Sequence, residues 1–304
     1  MIVVAGPTAS GKSALAAALA LALGGEVVSA DSQQVYQGFD IGTAKPTPDE
    51  LALAPHHLIS ILDAREARMD AARYADRADA AIREIAARDH VAIVAGGTGL
   101  YLRALLHGVM DAPGRDQAFR DALRIRAAEV GWPALHAELA EKDPEAAAAI
   151  TPQDRVRIER ALELIATTGQ RASELRKAHG FLPARYEFLG LRLELPREEL
   201  YARIDARTQA MFDGGLVEET ERLLSQGLDD APPMASIGYL QARAVLRGEL
   251  TREQAVADTA QQTRKYAKRQ LTWFKKEPGF RAIAAPDAEG LARLIDEAHA
   301  FLRR

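Results

Sequence analysis

The run Ile2-Val3-Val4-Ala5, followed directly by "GPTASGKS" from Gly6 to Ser13, constrains this chain more than any other feature. A short apolar run ending in G-x-x-x-x-G-K-[ST] and leading into "SALAAALALAL" reads as buried strand, phosphate loop and helix, with a stop at Gly24-Gly25. Such a loop lets backbone N–H groups converge on an oxyanion. The helix N-terminus adds partial positive charge, Lys12 a full one, and the Ser13 hydroxyl is a ligand for Mg²⁺. Gly6, Pro7, Thr8, Ala9, Ser10, Gly11, Lys12 and Ser13 are therefore expected to surround a diphosphate. The pattern does not say whose diphosphate it is.

The rest of the chain supplies a setting for that loop. "EVVSA" is a second apolar strand ending in Asp31, Arg68 to Arg88 suits a surface helix, and "HVAIVAGGTGLYLRAL" reads as buried strand, glycine turn and helix. Strands separated by helical stretches imply a parallel sheet with crossover helices. After about Asp111 the texture changes, and Arg115 to His179 shows helical patterns only. "YEFLGLRLEL", Tyr186 to Leu195, returns to strand-like alternation before Pro196. The C-terminal third reads as helical, with a Thr251-x-x-Gln254 capping box and a last helix from about Asp287. The expected fold is α/β, a P-loop NTPase-like parallel sheet core with an inserted all-helical domain and a helical C-terminal region. The expected boundaries are 1–112 for the first part of the core, 113–184 for the insert and 185–304 for the rest.

Composition narrows the chemistry. The 304 residues include no cysteine, which removes disulfides, thiolate metal sites and cysteine nucleophiles together and suits a reducing, cytoplasmic setting. The uncharged run from Ala14 to Gly25 is far short of the roughly 20 residues a membrane span needs, so no membrane role is expected. A net charge of −4 does not advertise a nucleic-acid binder. Yet "RKYAKRQLTWFKK", Arg264 to Lys276, concentrates six cations without an acid and interleaves them with Tyr266, Trp273 and Phe274. That mixture suits unpaired nucleotides through stacking and phosphate contact, and equally suits a solvated helix face.

A P-loop NTPase also needs an acid at the end of another core strand, but "VAIVAGG" ends in glycines. Asp31 ends the "EVVSA" strand on the carboxyl edge, where open α/β sheets bind ligands. It is placed to take a proton from a nucleophile or to hold a metal-bound water, and a capping aspartate would look the same. Thr98, on the "GGTGLY" turn, is either a site hydroxyl or a helix N-cap. His56-His57, near Pro55, is read as loop without a role.

These stretches together closely resemble the tRNA dimethylallyltransferase family. The resemblance is carried by "GPTASGKSALA", "DSQQVYQGFDIGTAKP" from Asp31, "HHLIS" from His56, "GGTGLYLRAL" from Gly96 and "DRVRIERALE" from Asp154, and continues through "RTQAMFDGGLVEE" from Arg207, "SIGY" from Ser236 and "RKYAKRQLTWFKK". It implies transfer of the dimethylallyl group of dimethylallyl diphosphate to N6 of the adenosine 3′ of the anticodon, using Mg²⁺; a monomer is expected, because nothing in the sequence demands more. The loop would then cradle a leaving diphosphate.

By the same resemblance Asp31 is the base, and Thr98 and Arg207 act on the diphosphate. Contacts to the tRNA anticodon stem-loop are implied for Asp31, Ser32, Gln33 and Gln34, for Glu159, Arg160, Ala161, Leu162 and Glu163 in the insert, and for Ser236, Gly238 and Tyr239. Lys268, Arg269, Gln270, Trp273 and Lys275 complete that set. Leu240 follows Tyr239 where the family commonly carries a polar or basic residue, so the implied contacts stop at Tyr239. A small-molecule P-loop kinase, an adenylate isopentenyltransferase and a nucleotide-dependent RNA-binding switch are the competing readings, and neither small acceptor would need the basic, aromatic segment.

Overall fold

The computed structural model of the protein describes residues 1–65, 68–110, 112–179 and 183–303. The change of texture at Asp111 and residues 180–182 of the expected insert lie outside that set. The chain divides into two compact units, Met1–Leu106 with Ala184–Arg304, and His107–Pro183.

The first unit is built on one sheet of six strands: β1 (Ile2–Ala5), β2 (Gly25–Ser29), β3 (His56–His57), β4 (Val91–Gly96), β5 (Leu189–Leu193) and β6 (Phe280–Ile283). Their order is β3-β2-β4-β1-β5-β6 and every pairing is parallel. A parallel sheet is covered on both faces, so its central strands are apolar throughout rather than alternating. All four residues of β1 are buried; Val3 and Ala5 face one core, Ile2 and Val4 the other. Helices α1 (Lys12–Leu23) and α14 (Ala288–Leu302) cover the Ile2–Val4 face. The opposite face lies under α3 (Ala71–Ala86), α4 (Gly99–His107), α11 (Leu216–Ser225), α12 (Tyr239–Leu246) and part of α13 (Arg252–Phe274).

Local signals set many of the helix ends. Gly24 closes α1 in the left-handed conformation, and its N–H donates to Ala20. Thr251 and Gln254 form the expected capping box of α13, and Asp287 caps α14. Helix α10 (Arg197–Asp213) follows Pro196 directly.

Several expectations need correction. Gly25 belongs to β2 rather than to the helix stop, and His56-His57 is a two-residue strand paired to β2 rather than a loop. The helix expected over 68–88 begins after Asp70 and is amphipathic, with Tyr74, Ala78, Ile82 and Ile85 buried. Of Tyr186 to Leu195 only Leu189–Leu193 pairs. The C-terminal third also contains β6, an edge strand of four residues with two exposed, too short and too mixed to show a period.

The second unit holds helices α5 (Gln117–Val130), α6 (Trp132–Lys142), α7 (Pro144–Ala148), α8 (Arg155–Thr168) and α9 (Ala172–His179) around Leu123, Leu135, Leu139 and Ile158. Its interior also contains charge. Glu163 is fully buried and receives Arg120 at 2.6 Å and Arg160 at 2.7 Å, while Glu159 receives Arg124 at 2.8 Å. Burial alone would raise the Glu163 carboxyl, but the hydrogen bonds from Arg120 and Arg160 hold it down at about 2.

The amino edge of the sheet is tied by one carboxylate. Glu26 on β2, 3% exposed, accepts from Arg88 at 2.9 and 2.8 Å and contacts His57 at 2.6 Å and His90 at 2.7 Å. The hydrogen bonds from Arg88, helped by His57 and His90, hold Glu26 at about 2. Its contribution to stability is therefore complete above pH of about 4.5 and lost as pH falls towards 2. Glu26→Gln is expected to destabilise the protein by about 3 kcal/mol at neutral pH, at the low end for a broken buried pair because Arg88 and His90 are half exposed. Urea unfolding followed against pH checks this: the variant should also lose part of the wild-type decline between pH 4.5 and 2.

Candidate active site

Three strand ends converge at the carboxyl edge. Ala5 of β1 opens the phosphate loop, Gly96 of β4 the glycine turn, and Ser29 of β2 the segment with Asp31. The close packing needs glycine at position 96, because a Cβ there would stand 2.1 Å from the Ala30 carbonyl oxygen. In the phosphate loop Ala9 and Gly11 adopt positive φ of 63° and 89°, which turns the backbone towards the start of α1.

The cations already have oxygen partners. Lys12 Nζ donates to the Pro7 carbonyl at 3.3 Å, and the Arg207 guanidinium, from α10, donates to the Thr8 hydroxyl. Burial pushes the Lys12 ammonium down to about 8, with Asp31 pulling it up and Arg207 pushing it down. Arg207 is also lowered by burial and raised by Asp31. Two cations and one nearby carboxylate leave a positive excess suited to a polyanion.

Asp31 Oδ1 accepts from the Gln33 N–H at 2.8 Å, and among the described residues Oδ2 has no hydrogen-bond partner. Thr98 occupies the N-terminal end of α4, where Tyr101 and Leu102 donate to its carbonyl at 2.9 and 3.2 Å. Its hydroxyl, however, accepts from the Ser32 N–H at 3.0 Å rather than from its own helix. The hydroxyl thus bridges two loops and keeps its own proton free to donate. Gln34 braces the next segment: Ser29 donates to Oε1 at 3.2 Å, and Nε2 donates to the Ala44 carbonyl at 2.9 Å.

A cavity of about 420 Å³ opens at this edge, lined by Lys12, Ser13, Asp31, Arg207, Ser236 and Tyr266, with Val27, Ile59, Met211 and Ile237 among its apolar walls. Thr98 is not among the lining residues. The lining therefore combines cations that favour an anion with apolar side chains that suit a small apolar group, together with a carboxylate that has a free oxygen.

The comparisons with known proteins decide the family. The family model described as IPP transferase matches residues 34–277. The tRNA dimethylallyltransferase of Myxococcus xanthus (strain DK1622) is 59% identical over 286 residues, covering 94% of this chain and 92% of the relative. The chain belongs to the tRNA dimethylallyltransferase family. The tRNA dimethylallyltransferase of Anaeromyxobacter dehalogenans (strain 2CP-C) is 57% identical over 298 residues, 98% of this chain and 99% of the relative. The crystal structure of a full-length tRNA isopentenylpyrophosphate transferase from Bacillus halodurans is similar with a TM-score of 0.74 at 36% identity, covering 99% and 96% of the two chains. A eukaryotic dimethylallyltransferase acting on tRNA reaches a TM-score of 0.84 at 28% identity, covering 100% of this chain and 79% of that one.

Among the positions that the tRNA dimethylallyltransferase resemblance assigns to RNA, the structure separates exposed from internal side chains. Lys268, Arg269 and Lys275 are exposed. Ala161, Leu162 and Glu163 are buried in the core of the second unit. Tyr239 is fully buried and donates to Glu219, whose carboxylate also accepts from the Asp40, Ile41 and Gly42 N–H groups at 3.0–3.2 Å. Tyr239 thus braces the 40–42 segment and presents no surface. Gln270 is likewise buried with both ends of its amide engaged. Phe274 is in the core, and Trp273 is half-buried beneath Arg103, so the aromatics of the basic segment mainly pack inwards.

The Lys12 shift is testable without substrate. Binding of sulfate, which neither gains nor loses a proton in this range, should weaken as pH rises through about 8 and Lys12 loses its charge. Lys12→Gln should bind more weakly and without that pH dependence, as read by titration calorimetry.

Proposed function

We propose that this protein transfers the dimethylallyl group from dimethylallyl diphosphate to N6 of the adenosine at position 37 of tRNA and releases diphosphate. The observation that carries the reading is one cavity in which Lys12 and Arg207 stand beside Asp31, in a chain of the tRNA dimethylallyltransferase family. In the step, the bond between the allylic carbon and the diphosphate oxygen breaks, the N6–carbon bond forms, and the N6 proton passes to Asp31 Oδ2. Negative charge grows on the leaving oxygens, where Lys12, Arg207 and loop N–H groups would stabilise it. The Thr98 hydroxyl would act from behind the cavity wall, by holding Ser32 and through it the Asp31 segment.

Ser13, on the first turn of α1, would be the protein ligand of Mg²⁺, and that ion would supply further charge neutralisation to the diphosphate. The fit is that of a substrate-bound ion: among the described residues no cluster of three or more His, Asp or Glu is placed to hold a metal, and Mg²⁺ typically keeps waters and phosphate oxygens. An adenine must leave its stack to reach this cavity. The exposed Lys268, Arg269 and Lys275 would hold the phosphates of the anticodon stem-loop, with the second unit contributing further contacts from the face that bears Arg160. The protein would act in the cytoplasm as a monomer; among the described residues no helix is long and apolar enough to cross a membrane.

Purified protein with labelled dimethylallyl diphosphate and Mg²⁺ should label tRNA. Label in AMP but not in tRNA, or phosphoryl transfer from ATP, would replace this reading. Asp31→Ala is expected to lose at least about 10²-fold in kcat, the range of general-base catalysis, while tRNA affinity stays within a few-fold. Wild-type turnover would remove Asp31 from its role as base. For Lys268→Ala combined with Arg269→Ala, tRNA binding should weaken and the slope of log K against log salt should become shallower by about 1 to 2. An unchanged slope would return those residues to solvent.

A further inference from the structure

Helix α13 carries a buried amide that the reaction above leaves without a task. Gln270 is 6% exposed; its Oε1 accepts from the Thr8 N–H at 2.9 Å and its Nε2 donates to the Gly97 carbonyl at 2.8 Å. Thr8 lies in the phosphate loop and its hydroxyl accepts from Arg207. Gly97 precedes Thr98, which holds the Ser32 N–H next to Asp31. One planar amide therefore spans the loop that holds the leaving group and the turn that holds the base.

The bridge is polar in a fixed sense. A backbone N–H only donates and a carbonyl only accepts, so the side chain must offer an acceptor to Thr8 and a donor to Gly97. Trp273, one turn further along α13, docks on the same turn: a Cβ on Gly99 would stand 2.2 Å from its indole Nε1. Lys268 and Arg269, by contrast, project into solvent from this helix.

We infer that Gln270 is a positioning residue, whose amide fixes the separation between the phosphate loop and the Asp31–Thr98 edge and so registers the diphosphate against the incoming amine. The inference rests on the prenyl-transfer reading for what is transferred, but the bridge also shapes the phosphate loop itself, so oxyanion binding reports on it independently. A displacement of about 1 Å between reacting groups costs on the order of 10²-fold in rate.

Gln270→Ala and Gln270→Glu, with the wild-type protein, test this in two assays. In the first, inorganic diphosphate binding is measured by calorimetry; Gln270→Ala should lose at least about tenfold, with the thermal unfolding of both variants tracked alongside. In the second, prenyl transfer is measured at saturating tRNA between pH 5.5 and 8.5. Here Gln270→Ala should lose about 10²-fold in kcat/KM for dimethylallyl diphosphate, with tRNA affinity within about twofold of wild type.

Gln270→Glu adds the readout that simple packing would not move. As a carboxylate it places an acceptor against the Gly97 carbonyl, whereas the protonated acid reproduces the donor and acceptor of glutamine. Its activity relative to wild type should therefore rise as pH falls. The inference is overturned if diphosphate affinity is unchanged in Gln270→Ala, if the Gln270→Glu ratio is flat with pH, or if the main loss is in tRNA affinity. A wild-type protein that binds diphosphate but transfers no prenyl group would sink the prenyl-transfer reading, while the diphosphate assay would still decide the role of Gln270.

Discussion

The all-parallel sheet is the constraint from which the site follows. Parallel strands all point their carboxyl ends one way, so the loops leaving β1, β2 and β4 meet on one edge whatever their separation in sequence. Only the absence of a side chain at Gly96 lets the Ala30 carbonyl come close enough for the Thr98 N–H to reach it at 3.2 Å. That contact places the Asp31 segment and the glycine turn side by side. The phosphate loop then lies next to them because β1 is the neighbour of β4.

Charge is distributed to match. Glu26 gathers Arg88, His57 and His90 at the amino edge, and the carboxyl edge keeps Lys12 and Arg207 with Asp31, the one acid lining the cavity among the described residues. The first cluster is saturated and stabilises the strands it joins. The second has two desolvated cations, which favour an entering anion, and beside them a carboxylate oxygen that remains without a hydrogen-bond partner among the described residues.

Features set by neighbouring residues were legible in the sequence, and features set by distant ones were not. The phosphate loop, the Gly24 half of the glycine stop of α1 and the Thr251–Gln254 box depend on residues within a few positions of each other, and each stands where the pattern put it. Asp31 and Thr98 could be placed on one edge by strand logic alone. The bond from Ser32 to Thr98, the bracing of 40–42 by Glu219 and Tyr239, and the span of Gln270 between Thr8 and Gly97 join residues far apart in the chain. No local period encodes them, and a buried tyrosine or glutamine within a family motif looks the same in sequence as one facing a ligand. The strands β3 and β6 escaped for a different reason: two and four residues at the sheet edges are too few to express alternation.

The oxygen partners of the two cations bear on how an anion is taken up and released. Lys12 leans on the Pro7 carbonyl and Arg207 on the Thr8 hydroxyl, both neutral oxygens of the very loop that would cradle the phosphates. An arriving oxyanion displaces weak dipolar partners rather than a counter-ion, so no ion pair has to be broken to admit it. When it leaves, each cation falls back on an oxygen already within reach. The same two oxygens thus act as a low-energy berth for the cations, so that an anion at this edge is held less tightly than bare buried charges would hold it.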